Sequence, residues 1–331
     1  MMSRLFNFLL SQLRSLFRLE PISHARWEHL IFRLALAYLL IDNVLGMRLN
    51  YDWAFPFVQI AKDGPKYFTL PSPSGIGQIW PGITALSDPA VFGTVRICFY
   101  AAVILYVCGL FAPLALLYML LVECCMGSLL ASQGAIGHSR QTMALGLLGI
   151  TLASYVCLFI KKRGGWRNLL RWSQDAQDLA MNWGRQMIVS AYAVSAVTKE
   201  IKTDGFWFTK SEGFSLAVAK AQEEATIKGV VEISRNAQDF LVWMTLHPSV
   251  SGAMLLGAWL LEISAPLMLL NRRMALLIGI LLWIFHGING WFMGLGFPLN
   301  RALLLVLFIN IPWWIYAAFK PRSPATTPPA A

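Results

Sequence analysis

Residues 274–295, "MALLIGILLWIFHGINGWFMGL", run for a full membrane's thickness without one formal charge, yet place an imidazole, His286, and a carboxamide, Asn289, in that apolar setting. About 20 mostly apolar residues in a helix cross the roughly 30 Å of hydrocarbon in a bilayer, so this stretch reads as a transmembrane helix. The whole chain agrees with that reading. Of its 331 residues 57% are hydrophobic and only 13% charged, a balance that argues against a water-soluble globule.

Working outward, apolar stretches of similar kind lie near residues 30–47, 92–112, 114–132, 141–160, 183–199, 251–270 and 300–318. The expected fold is therefore all-α: a polytopic membrane bundle of about eight transmembrane helices with interfacial helices added. The 183–199 stretch is short, and its ends at Arg185 and Lys199 must snorkel or sit in protein.

Basic residues orient the spans, because flanks rich in Lys and Arg stay cytoplasmic. Arg4, Arg14, Arg18 and Arg26 precede the first span, "KKRGGWRNLLR" (161–171) follows the fourth, Arg272 and Arg273 follow the sixth, and Lys320 and Arg322 follow the last. An eight-span count puts all of these on one side. The expectation is a multi-pass protein of the cell membrane with both termini cytoplasmic, residues 134–140 and 200–250 outside and residues 161–171 inside. The net charge of +10 then serves orientation and attraction to anionic membrane lipids, and no motif points to nucleic acid.

Three regions follow from this reading: a cytoplasmic amphipathic segment at 1–28, a transmembrane domain at 29–319 and a disordered cytoplasmic tail at 320–331. "SRLFNFLLSQLRSLFRLE" (3–20) and "GGWRNLLRWSQDAQDLAMNWG" (164–184) are expected to lie as helices on the cytoplasmic leaflet. The aromatic and Pro-rich stretch 48–91 suits an ordered loop or lid, and 200–250 can hold short helices. The five cysteines, Cys98, Cys108, Cys124, Cys125 and Cys157, all fall in spans without a CxxC, so neither a disulfide nor a metal site is assigned.

Ionisable residues at membrane depth are costly and mark function by default. Asp42, Arg96, Glu123, His138, Lys199, Glu262 and His286 are of this kind. Counted from the cytoplasmic end of its span, His286 lies about 18 Å deep, in the outer half. His138 and Lys199 fall on the same outer side. His286, Asn289, Gly290 and Met293 share a helical face, and Gly290 with Gly294 forms a small-xxx-small surface for close helix approach. Plainer roles stand beside the functional ones: interhelical hydrogen bonding for His286 and Asn289, a snorkelling anchor for Lys199, an exposed loop position for His138, and mutual pairing for Asp42 and Arg96.

"IGHSRQTMALGLLGI" (136–150), "RQMIVSAYAVSAVTKEIKTDGFWF" (185–208) and "FHGINGWFMGLGFP" (285–298) resemble, in order and spacing, motifs of the membrane domain of vitamin K-dependent gamma-carboxylase and of its bacterial relatives, the horizontally transferred transmembrane domain proteins. "FRLALAYLLID" (32–42) adds a weaker likeness, so that the resemblance covers about residues 29–318. It implies a carboxylase-like enzyme in which Lys199 is the base that deprotonates a vitamin K-like hydroquinone and His138 assists. His286, Asn289, Trp207 and Arg185 would bind substrate or cofactor, while Asp42, Arg96 and Glu262 would be structural or pocket polar groups. The implied co-reactants are O2 and CO2, with no metal, and the implied partner is a peptide or protein substrate. Gly137 and Thr198 replace an asparagine and a lysine of the carboxylase motifs, and the expectation is that the large lumenal part of the carboxylase has no counterpart here. Two other classes of function stay open: a non-catalytic membrane partner in peptide maturation or export, and a lipid- or quinone-binding protein.

Overall fold

The computed structural model describes residues 16–20, 22–42, 81–87, 89–132, 138–227, 233–295 and 297–319, and among them all regular structure is helical. Most of the 48–91 stretch, the first fifteen residues and the 320–331 tail lie outside the described residues. The helices are α1 (Arg26–Leu40), α2 (Pro89–Cys108), α3 (Ala112–Ser132), α4 (His138–Phe159), α5 (Arg167–Leu170), α6 (Gln174–Lys202), α7 (Phe214–Ile227), α8 (Arg235–Leu246), α9 (Pro248–Ile263), α10 (Arg272–Met293), α11 (Pro298–Leu304) and α12 (Ile311–Phe319). Among the described residues, five stretches are long and apolar enough to cross a membrane: Ala90–Cys108, Ser139–Phe159, Pro248–Leu269, Arg272–Met293 and Pro298–Phe319. The last of these is interrupted at Asn310, whose left-handed backbone (φ 48°) separates a widened turn at Leu305–Ile309 from α12.

The segment at 164–184 turns a corner and becomes the first half of α6. Asn168, fully buried, builds that corner: its Nδ2 donates to the carbonyls of Arg163 and Cys157, and its Oδ1 accepts from the Ser173 amide. Gly164 (φ 101°) passes so close that a Cβ there would meet the Asn168 amide at 2.9 Å. Ser173 then caps α6, its hydroxyl accepting from the Ala176 amide. From that cap α6 runs 29 residues without a break, so the short apolar stretch at 183–199 is only its second half.

The expected small-residue contact at Gly290 and Gly294 is corrected at Gly294, which ends α10 in the left-handed conformation (φ 72°) that glycine adopts without strain. Close approach occurs between α4 and α6. A Cβ on Gly149 would lie 2.6 Å from the Trp183 carbonyl oxygen, and one on Gly184 2.7 Å from Ile150, so these backbones come together only because side chains are missing.

One end of the bundle is tied by charge. Glu28, 1% exposed, accepts from both Arg272 guanidinium nitrogens (2.8 and 3.2 Å), from Asn310 Nδ2 (2.8 Å) and from the Ala25 amide (2.7 Å). Arg272 also donates to the Ser23 carbonyl and stacks over Trp313 at 4.4 Å. Four donor atoms from three residues on one carboxylate join α1, α10 and the last span. Beside it, Asp178 on α6 accepts from the His24 amide (2.9 Å) and faces the His24 ring (3.0 Å), while His29 Nε2 lies 3.3 Å from the same oxygen.

Both members of the His24–Asp178 pair titrate lower than usual. Burial lowers His24 most, Arg185 and Arg272 push the same way, and Asp178 opposes them. Burial raises the Asp178 carboxyl, but the hydrogen bonds from His24 and the nearness of His29 outweigh it and hold the group well below the usual carboxylate range. A histidine depressed in the fold takes up its proton first in the unfolded chain, so its contribution is present above the ordinary value of 6.5 and fades as pH falls below it. The depressed Asp178 loses its contribution further into the acid range, in the same direction. The apparent Tm of the detergent-purified protein should therefore fall between pH 7 and pH 5, and the fall should shrink in His24→Gln. An equal fall in the variant would remove His24 from the account.

Candidate functional site

At the opposite end of α6, Tyr192, Ala196 and Lys199 recur at i, i+4 and i+7 and so share one face, with Tyr192 and Ala196 buried. The last turn of α9 brings Glu262, 7% exposed, against that face, and Lys199 Nζ donates to Glu262 Oε2 at 2.5 Å. Beyond α6 the chain doubles back through Asp204, Gly205 and Phe206, all at positive φ (55°, 85° and 55°). The reversal places the Trp207 ring 4.9 Å from Lys199 Nζ, and the Trp207 amide donates to the Glu200 carboxylate. Lys199 is thus held between a carboxylate and an indole face, with 28% of its side chain exposed.

The second half of the site comes from α10 and α11. His286, 5% exposed, has Nε2 2.8 Å from the Tyr192 hydroxyl, and its ring lies among Phe285 and Phe297 (5.5 and 5.1 Å). Phe297 takes a left-handed conformation (φ 42°) and Pro298 opens α11, an arrangement that turns the helix back along α10. Buried Asn300 then approaches the same Tyr192 hydroxyl, and Arg301 stacks over Trp283 at 4.1 Å. The Tyr192–His286 contact joins the two halves, because Tyr192 shares the α6 face that carries Lys199.

Four buried polar atoms of this unit have no hydrogen-bond partner: His286 Nδ1, Asn300 Oδ1, Arg301 Nε and Trp283 Nε1, and the first two lie around the Tyr192 hydroxyl. If the tyrosine donates to Nε2, Nδ1 carries a proton with nothing to receive it. If Nε2 donates, Nδ1 is an acceptor without a donor. Either way a buried polar group unmet by protein costs roughly 1–3 kcal/mol, which a ligand hydroxyl or carbonyl would recover.

Of the residues singled out in the sequence, Lys199, Glu262, Trp207 and His286 are brought together here. Asn289 sits one turn beyond His286, half-buried, where its carbonyl receives the amides that end α10. His138 is the first residue of α4, and its side chain lies outside the described residues. Asp42 and Arg96 are both exposed, and no ion pair between them occurs among the described residues, which removes the expected mutual pairing.

Arg185 stands apart from this group. Fourteen positions before Lys199 on one helix, it lies about 21 Å away along the axis. There it is 3% exposed, donates Nη2 to the Met268 carbonyl at 3.0 Å and stacks over Phe308 at 5.1 Å, within the field of Arg272. Its place is the Glu28–Arg272 end. Tyr192, Asn300 and Arg301 were missed from sequence. For Tyr192 the signal was present, since it stands seven residues before Lys199 and so on its face. Asn300 and Arg301 show only as two polar residues opening an apolar span.

Arg185→Met should lower the apparent Tm, at a cost of roughly 1–3 kcal/mol for the carbonyl left unpaired, while any turnover per folded molecule stays unchanged. Lost turnover at an unchanged Tm would return Arg185 to the site.

No family model matches the chain, and no curated protein or solved structure matches it either.

Proposed function

We propose that the chain is an integral membrane enzyme resembling gamma-carboxylase, which uses a reduced quinone from the lipid phase, with O2 and CO2, to abstract a proton from or carboxylate a peptide or protein. The supporting observation is the convergence of Lys199, Glu262, Tyr192 and His286 from three helices on one end of the bundle, with His286 Nδ1 and Asn300 Oδ1 buried and unmet. Those two atoms suit the hydroxyls of a hydroquinone, and the Lys199–Glu262 pair offers a cation and a proton acceptor to the same ligand. When bound, a reduced quinone supplies the two electrons that O2 accepts.

The chain's own residues have defined work in this reading. Glu262 takes the Lys199 proton, which frees the Nζ lone pair to receive a proton from a ligand hydroxyl. Tyr192 and His286 pass a proton across their 2.8 Å contact, and Nδ1 presents the other side of the ring to the ligand. Trp207 covers the ammonium with an aromatic face and limits water. The reading takes α1, α3 and α6 as spans beside the five apolar ones, about eight in all. It places the protein in the cell membrane with cytoplasmic termini and the Lys199 end in the outer leaflet.

A second reading is a non-catalytic partner in peptide maturation or export, or a carrier of lipid or quinone. It is favoured by the ion pair itself, which satisfies Lys199 and Glu262 without any chemistry. Lys199→Arg separates the two. Arginine keeps the charge and can pair with Glu262 but does not give up its proton, because its pKa exceeds about 12. Quinol-dependent O2 uptake by the purified protein should fall about 10²–10⁴-fold in Lys199→Arg, with the apparent Tm kept. Full uptake in the variant would overturn Lys199 as base, and no uptake by the wild-type protein would favour the carrier or partner.

A further inference from the structure

Helix α8 is amphipathic in an unusual sense: the polarity of its exposed face changes along its length. Ala237 and Met244 are buried, and Met244 packs with Val218 of α7 and Phe292 of α10 in a small apolar cluster of its own, flanked by Phe240 and Leu241. Gln222 of α7 locks this cap in place by donating to the Phe292 carbonyl at 2.7 Å. On the outward face, Arg235 and Asp239 occupy the first half of α8, while Val242, Trp243 and Leu246 occupy the second, exposed by 62%, 43% and 73%. Three large apolar side chains standing out together are a binding surface by default.

What they face follows from two neighbours. Leu246 is two residues from Pro248, the start of a candidate span, with only His247 between, so the apolar half of α8 is fixed at the level where that span begins. On the other side, Phe240 lies 6.0 Å from Trp291, the last member of a stripe on α10 formed by Leu277, Leu281, Ile284, Ile288 and Trp291, each 44–46% exposed. Spaced at fours and threes, that stripe is the outward face of a span. Through Trp291 and Phe240 it continues without a polar gap onto Val242, Trp243 and Leu246.

We infer that α8 is a membrane-interface helix, inclined so that Val242, Trp243 and Leu246 enter the acyl region of the leaflet while Arg235 and Asp239 stay among the headgroups. A tryptophan near the boundary and charges above it are the arrangement the interface selects. The stretch 200–250 is then in part a lipid-bound collar around the bundle.

Added tryptophans on the full-length protein test this, reconstituted in phosphatidylcholine vesicles whose acyl chains are brominated near the headgroup. Both positions are exposed, so neither substitution disturbs packing. In Leu246→Trp the emission gained over wild type should be largely lost in the brominated vesicles and resist aqueous iodide. In Asn236→Trp the gain should be quenched by iodide and survive bromination. Iodide quenching of both would overturn the inference and make the patch a water-facing surface for a soluble partner. Shielding of Leu246→Trp from both quenchers in a particle of doubled mass would overturn it in favour of self-association. Bromine quenching of both would overturn the inclined geometry.

Discussion

A carboxylate inside an apolar bundle has to be met by a cation and by hydrogen-bond donors, since water is not there to do it. Among the described residues three glutamates are buried, Glu28, Glu123 and Glu262, and the first and last of them impose that constraint at opposite ends. Glu28 is met four ways, by two arginine nitrogens, an asparagine and a backbone amide, and its partners come from three separate parts of the chain. Removing one partner of such a pair costs about 3–5 kcal/mol, because a charge is then left buried alone. That end is built for closure. Glu262 is met by one lysine, which is itself partly open and backed by an indole. That end is built to exchange.

The contrast extends to the neighbouring asparagines. Around Glu28 the carboxylate oxygens are saturated, and Asn310 and Asn271 each spend both ends of their amide on backbone or carboxylate. Near Glu262, His286 and Asn300 each keep one polar atom buried and unpaired, His286 beside the tyrosine hydroxyl that meets its other nitrogen. Unmet atoms occur toward the Glu28 end as well, at His29 Nδ1 and Nε2, Gln177 Oε1 and Arg185 Nε, so what sets the other end apart is that its unmet atoms stand near a lysine and a carboxylate held by a single partly open contact.

Legibility in the sequence followed hydropathy closely. The uncharged run at 274–295 emerges as α10, and the apolar stretches near 92–112, 141–160, 251–270 and 300–318 each correspond to a helix apolar enough to cross a membrane. α6 was harder to read because Gln174, Gln177, Asp178, Asn182 and Arg185 look like the polar face of a surface helix. In the fold most of them bond to the chain itself, at Ile22, His24, Trp172 and Met268. Those partners are about 5 to 160 positions away, and no local pattern announces them. The site was half legible for the same reason: Lys199, Glu262 and His286 stand out as charges in apolar runs, whereas Tyr192 and Asn300 matter only for what they touch.

The central claim is that the Lys199–Glu262 pair serves chemistry and the fold can spare it. Replacing both at once, Lys199→Met with Glu262→Leu, leaves no charge uncompensated, and such swaps are often neutral or stabilising. Apparent Tm and quinol-dependent O2 uptake of that double variant, measured on one preparation, decide the matter. The account predicts a Tm at or above that of the wild type with uptake abolished. A double variant that fails to fold, or that keeps its uptake, would contradict it.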